Sequence, residues 1–147
     1  SEFTAGNAVG SVKFGPRILP EGITEAGLLQ ALDINPKQGE SKWQARERPS
    51  MTSSVLATAG GLVFGGDAAR YVSAWDQDTG EVLWRQRLNA PIGGSPVTYE
   101  IDGEQYLVVP TGYSNAASSI SSAFPETPLP TGSGNSIFVY KLPKASN

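Results

Sequence analysis

Neither cysteine nor histidine occurs among the 147 residues. Their absence removes disulfides, thiol nucleophiles, zinc sites of the Cys/His kind, and any triad that uses imidazole as its base. Positive charge is scarce too: 11 Lys and Arg stand against 14 Asp and Glu. A net charge of −3 leaves no broad basic surface, so nucleic acid is excluded as a partner. No run of about 18 apolar residues is present, and no helical membrane span is expected. Ser1 to Gly6 has neither a basic start nor an apolar core and is no signal peptide. Ser1 to Phe3 reads as a processed end or a cloning scar and is set aside.

What is plentiful is turn-forming residues, with 17 Gly and 11 Pro in a chain of one-domain length. Both residues punctuate turns and disfavour helix interiors, so the composition points to strands. The most informative stretch is Val72-Ser-Ala-Trp-Asp-Gln-Asp-Thr-Gly-Glu-Val-Leu-Trp84, an alternating strand, a tight turn and a second strand with Trp. A related pattern runs from Leu28 to Trp43, with Ala31 and Asp33 each 43 positions before Ala74 and Asp76. That separation matches a four-stranded propeller blade, roughly 40–45 residues in one common type.

The rest of the chain falls into the same frame. Residues 4–26 read as an extended, loop-rich segment, with short β pieces around Val12–Phe14 and Arg17–Leu19. A strand follows from about Leu28 to Leu32, then a turn from Asp33 to Gly39 and a strand that ends in Trp43. Strands over 54–59, 62–66, 71–75 and 81–87 make one complete antiparallel blade, with Gly60-Gly61 turning its first hairpin. The cycle restarts with 92–100, a turn at Ile101-Asp-Gly103, and 105–109, where Leu107 lies 44 positions after Val63. A long Ser/Gly/Pro-rich connection over 111–134 leads to a third strand at 136–142, and no fourth strand follows it. Connections of that length inside a repeat carry function or lack order. The expected fold class is all-β: a partial propeller of about two blades, each a four-stranded antiparallel sheet, plus a flanking hairpin. Residues 1–26 form its leading segment, 27–143 the repeats and 144–147 a tail. The open sheet edges invite pairing with the remaining blades or with a second copy.

Asp76 and Asp33 read as turn residues whose carboxylates accept local backbone amides, rather than as catalytic acids. Trp43 and Trp84, which end their strands in equivalent positions, read as packing between neighbouring sheets.

The sequence Leu56-Ala-Thr-Ala-Gly-Gly-Leu-Val-Phe-Gly-Gly-Asp67, followed by Ala74–Trp84, Ser95–Val109 and Ile137–Pro143, resembles the C-terminal blades of pyrroloquinoline-quinone (PQQ)-dependent alcohol and sugar dehydrogenases. The resemblance covers roughly residues 26–143. It implies a portion of an eight-bladed periplasmic propeller that holds PQQ on its axis beside calcium or a lanthanide. It further implies oxidation of an alcohol or sugar with help from an Asp base, and a cytochrome or ubiquinone as electron acceptor. The family's metal ligands, catalytic Asp, paired cysteines and stacking Trp lie upstream of the matched region, so the metal is held outside this chain. On that footing the chain alone is not catalytic.

What remains is a share of the cofactor wall, for which the resemblance offers Thr52, Ser53, Tyr113 and Asn115. Several family members carry Trp just before the small pair that is Ser53-Ser54 here; this chain has Thr52. Arg70 reads as a solvated or inter-blade charge. A non-enzymatic propeller scaffold of the outer-membrane assembly type is the alternative, since the docking motif recurs there without cofactor.

Overall fold

The computed structural model describes residues 18–34, 39–112, 123–127 and 134–143, together with the backbone of 2–3 and 12–13. Among them there is no helix. A short hairpin joins β1 (Glu2–Phe3) to β2 (Val12–Lys13). A second pairs β3 (Gly27–Leu32) with β4 (Ser41–Glu47). β5 (Leu56–Ala57), β6 (Leu62–Gly66), β7 (Tyr71–Asp76) and β8 (Val82–Arg87) then form one four-stranded antiparallel sheet in sequence order. β9 (Val97–Ile101), β10 (Glu104–Thr111) and β11 (Ser136–Lys141) form a three-stranded sheet. The all-β, partial-propeller expectation holds.

The complete sheet is the middle layer, and strand alternation gives it two buried faces. Val63 and Trp75 point to the β3–β4 hairpin, where Leu29, Trp43 and Ala45 meet them, joined by Met51 from the segment after β4. Phe64, Val72 and Ala74 point the other way and share a core with Leu88, Ile92, Leu107 and Val109. Phe64 and Trp75 are each 1% exposed, so the middle sheet is apolar on both sides. Burying a side chain such as Phe64 contributes about 2 kcal/mol.

Sheet-to-sheet spacing is set at the turns. The Trp43 indole N–H donates to the Gln77 carbonyl at 2.8 Å, and its ring lies over Gly80. A Cβ at Gly80 would sit 2.5 Å from Trp43 Cε3, and Gly80 has φ +74°, so glycine is required there twice over. Trp84 repeats the arrangement one sheet on, meeting Tyr140 edge-on with centroids 5.0 Å apart.

Several local expectations change. Trp43 and Trp84 are not the last residues of their strands; each is the third residue of its strand. The expected strand over 54–59 shrinks to Leu56–Ala57, because Ser53, Ser54 and Thr58 spend their hydroxyls on the chain itself. The 60–61 turn is not a primed one with two left-handed residues. Gly61 alone has positive φ (+80°), and Thr58 closes the loop from both sides. The primed turn occurs at Asp102-Gly103, with φ +53° and +72°. Residues 92–96 are not strand, whereas β10 runs to Thr111. Val12–Lys13 is strand as expected and pairs with Glu2–Phe3, which lie in the stretch set aside as a processed end or a cloning scar; Ile18 and Leu19 are not strand.

Candidate functional site

Three loops meet at one end of the stacked sheets. They are the approach to β5 (51–55), the β6–β7 connection (67–70) and the linker between β8 and β9 (88–96). The first two are tied by backbone bonds. Thr52 N–H donates to the Gly66 carbonyl at 2.9 Å, Ala68 N–H to Ser50 at 3.0 Å, and Met51 bridges Asp67. Gly66 lies so close to Ile92 of the third loop that a Cβ would meet its Cδ1 at 2.1 Å. Ser54 Oγ donates to Ser95 Oγ at 2.5 Å, joining the middle sheet to the last one.

Thr52 and Ser53 differ in what their hydroxyls have left to offer. Ser53 Oγ donates to the Ser54 carbonyl at 2.7 Å and accepts from Gly66 N–H at 2.7 Å, so its role is to shape the loop. Thr52 Oγ1 is buried and has no hydrogen-bond partner among the described residues. A buried hydroxyl without a partner costs about 1–3 kcal/mol, a debt that an added donor or acceptor at this spot would cancel. Tyr113 and Asn115 lie outside the described residues. Arg70 takes a left-handed φ of +74°, donates its N–H to the Asp67 carbonyl and accepts from Leu88 N–H, so its backbone ends the turn.

A charged cluster beside these loops carries no signal in the sequence. Asp67 is 2% exposed and accepts from Tyr71 N–H at 2.9 Å. Arg85 Nη2 stands 3.8 Å from its carboxylate and 2.5 Å from Glu47 on the neighbouring hairpin, while Arg85 Nε donates to Ser73 Oγ at 3.0 Å. Burial pushes the Asp67 carboxyl up to about 6, with Glu47 adding to the rise and the Tyr71 amide and Arg85 opposing it. One arginine therefore serves two carboxylates on two sheets.

Further contacts tie described residues together at this end. Thr111 Oγ1 donates to Asn89 Oδ1 at 2.9 Å, and Asn89 Nδ2 donates to Ser136 Oγ at 2.8 Å and the Gly134 carbonyl at 3.1 Å. Asn89 thus pins both ends of the 112–135 connection. Within that connection Phe124 is 1% exposed and packs on Ala68 and Leu19, under the Arg48 guanidinium at 4.9 Å. Arg48 also pairs with Glu126 at 2.9 Å. Phe124 is thus the packing contact of described residues 123–127.

The profile of the glucose/ethanol/alcohol dehydrogenase β-propeller domain that uses PQQ matches residues 24–107. A quinoprotein ethanol dehydrogenase of Pseudomonas aeruginosa is 38% identical over 121 residues, covering 82% of this chain and 19% of that protein. Subunit 1 of a methanol dehydrogenase [cytochrome c] of Paracoccus denitrificans is 40% identical over 87 residues, 59% of this chain and 14% of that one. The solved quinohemoprotein alcohol dehydrogenase of Pseudomonas putida superposes with a TM-score of 0.59 at 28% identity, over 80% of this chain and 17% of that one. The chain spans about a fifth or less of the length of these relatives. The sugar substrate and the cofactor-free scaffold gain no support from these matches.

Proposed function

The chain belongs to the PQQ-dependent glucose/ethanol/alcohol dehydrogenase β-propeller family, and from that membership we propose that it is the C-terminal portion of a quinoprotein alcohol dehydrogenase. In this reading it supplies blades and part of the wall around PQQ, in the periplasm, and is not catalytic by itself. Bound PQQ would accept the two electrons removed from the alcohol carbon. A calcium or lanthanide ion beside it would be held by residues outside this chain, and the electrons would pass to a cytochrome c or a quinone.

The observation that carries the wall assignment is the orphaned Thr52 hydroxyl. A quinone carbonyl or carboxylate would accept a hydrogen bond from this hydroxyl. Ser53 supports the contact from behind by holding Gly66 N–H and Ser54 in place. Asp67 accepts from Tyr71 N–H and stands 3.8 Å from Arg85, which ties the β6–β7 connection to β7 and β8. Tyr113 and Asn115 remain proposed as cofactor or substrate-entrance residues.

The test is reconstitution. The 147-residue chain, given PQQ, calcium and ethanol, is expected to reduce no dye; the same residues within a complete propeller are expected to do so. Turnover by the chain alone would overturn the proposed division of labour.

A further inference from the structure

Asp67 stands inside the ladder that holds Thr52. Of residues 50–55 and 65–69 it alone carries an ionisable side chain. Gly66, the residue before it, grips the loop by three bonds. Its carbonyl accepts from Thr52 N–H at 2.9 Å and Ser53 N–H at 3.2 Å, and its N–H donates to Ser53 Oγ at 2.7 Å. Asp67 itself pairs with Met51 in an antiparallel bridge, and Ala68 N–H donates to the Ser50 carbonyl at 3.0 Å. Arg85 of β8 ties both sides of this ladder. Its Nη2 stands 2.5 Å from Glu47, at the base of the segment that leads to Thr52, and 3.8 Å from Asp67, while Nε donates to Ser73 Oγ at 3.0 Å.

We propose that Asp67 is a positioning residue for Thr52: its protonated carboxyl keeps the ladder closed, and its ionisation loosens the 51–55 loop from Gly66. The cause is solvation. A neutral carboxyl, 2% exposed, accepts from Tyr71 N–H at 2.9 Å and is satisfied by it. An ionised one requires water or a close cation, and the guanidinium that faces it lies nearer to Glu47. The same burial pushes the carboxyl up to about 6. Arg85 and Glu47 are the charges that act on it. On the flanking elements stand Arg87, whose guanidinium lies 5.7 Å from the Tyr71 ring, and the Arg48–Glu126 pair beside Phe124, which packs on Ala68. Linkage fixes the direction. An opened ladder returns the carboxyl to water and to its ordinary value of 3.8. Opening is therefore increasingly favoured as the pH rises from that value to about 6, and levels off above it. The coupling of Asp67 to the loop stands on these bonds alone; its bearing on PQQ rests on the wall reading above.

Hydrogen exchange on the intact 147-residue chain, read amide by amide and corrected for the pH dependence of free-amide exchange, tests it. Protection of the Thr52 and Ser53 amides is expected to fall on the order of tenfold between pH 4.5 and pH 7. The amides of Asp76 and Leu142, bonded to the Glu81 and Gln105 carbonyls, are expected to change less. Asp67→Asn is expected to abolish the fall, and Glu47→Gln to keep it. Flat protection at Thr52 and Ser53, an equal fall at Asp76 and Leu142, or a fall that persists in Asp67→Asn would each overturn the proposal. Should a variant not fold, the comparison of loop and control amides in the unaltered chain still decides. In a complete propeller PQQ is expected to bind more tightly at pH 5 than at pH 7.5, with Asp67→Asn reducing the difference. The expected exchange pattern beside a PQQ affinity that Asp67→Asn leaves unchanged would uphold the positioning of the loop and count against Thr52 as a quinone contact.

Discussion

Trp43 and Gln77 belong to different sheets, yet the indole N–H of one meets the carbonyl of the other at 2.8 Å. The bond places the ring over Gly80, so a single side chain sets both the distance and the lateral register of two layers. Such a contact serves as a coupling between blades because a turn carbonyl has a fixed direction and an indole a fixed length.

Replacing Trp43 separates its two contributions. Trp43→Phe keeps ring packing and loses the hydrogen bond, and is expected to cost about 1 kcal/mol. Trp43→Ala loses both and is expected to cost about 3 kcal/mol. Urea unfolding measures each; an unchanged midpoint for the Phe variant would mean the bond to Gln77 adds nothing. Gly80→Ala is expected to be at least as harmful as Trp43→Phe, since a left-handed alanine costs about 1–2 kcal/mol before its Cβ meets the ring.

Asp67 should make the fold more stable in mild acid. Its folded pKa, about 6, lies above the ordinary 3.8. The folded chain therefore binds the proton more tightly than the unfolded chain between those values. The stabilising contribution is fully present below about pH 4 and is lost as the pH rises through 6, amounting to about 3 kcal/mol. Thermal unfolding at pH 5 and pH 7.5 is expected to show a higher Tm at pH 5, and Asp67→Asn to remove most of the difference. A wild-type Tm that falls between pH 7.5 and pH 5 would contradict this.

Features that depend on spacing and on local chemistry were legible in the sequence. Separations of 43 and 44 residues announced the sheets, and Asp76 declared its turn because the donors to its carboxylate lie within three residues. What was hidden depends on which residues meet across layers. Glu47, Asp67 and Arg85 are separated by up to 38 positions, and nothing in their neighbours marks one arginine as shared by two acids. Thr52 was singled out by resemblance, but that its hydroxyl is orphaned while Ser53's is spent follows only from the fold of the loop. The extent of β5 was misjudged for the same reason, since side-chain hydroxyls competed with the ladder.

Asp76 gives the opposite pH behaviour from Asp67. Its carboxylate accepts from the amides of Thr79 and Asp78 and from the Thr79 hydroxyl, and these bonds hold its pKa below 3.8. A depressed pKa contributes stability above the unfolded value and loses it as the pH falls through the folded one. Asp76→Ala is therefore expected to lower the urea midpoint at pH 7, and the gap to the parent to close as the pH is taken below 3.8. A gap of constant size would mean the loss came from backbone geometry and not from the charge.

Thr52→Val yields effects of opposite sign in two states, which a purely structural residue would not. In the isolated chain the substitution removes a buried hydroxyl that has no partner among the described residues and replaces it with a methyl of similar size. It is expected to raise stability by about 1 kcal/mol. In a complete propeller the same change removes a donor to the quinone and is expected to weaken PQQ binding about tenfold, the equivalent of one neutral hydrogen bond. Differential scanning fluorimetry reads the first and equilibrium titration with the quinone, followed by protein fluorescence, reads the second. A variant that is less stable and binds PQQ unchanged would show that Thr52 Oγ1 satisfies a water or the backbone in solution. A variant that is more stable and binds more weakly would place its hydroxyl in contact with the quinone.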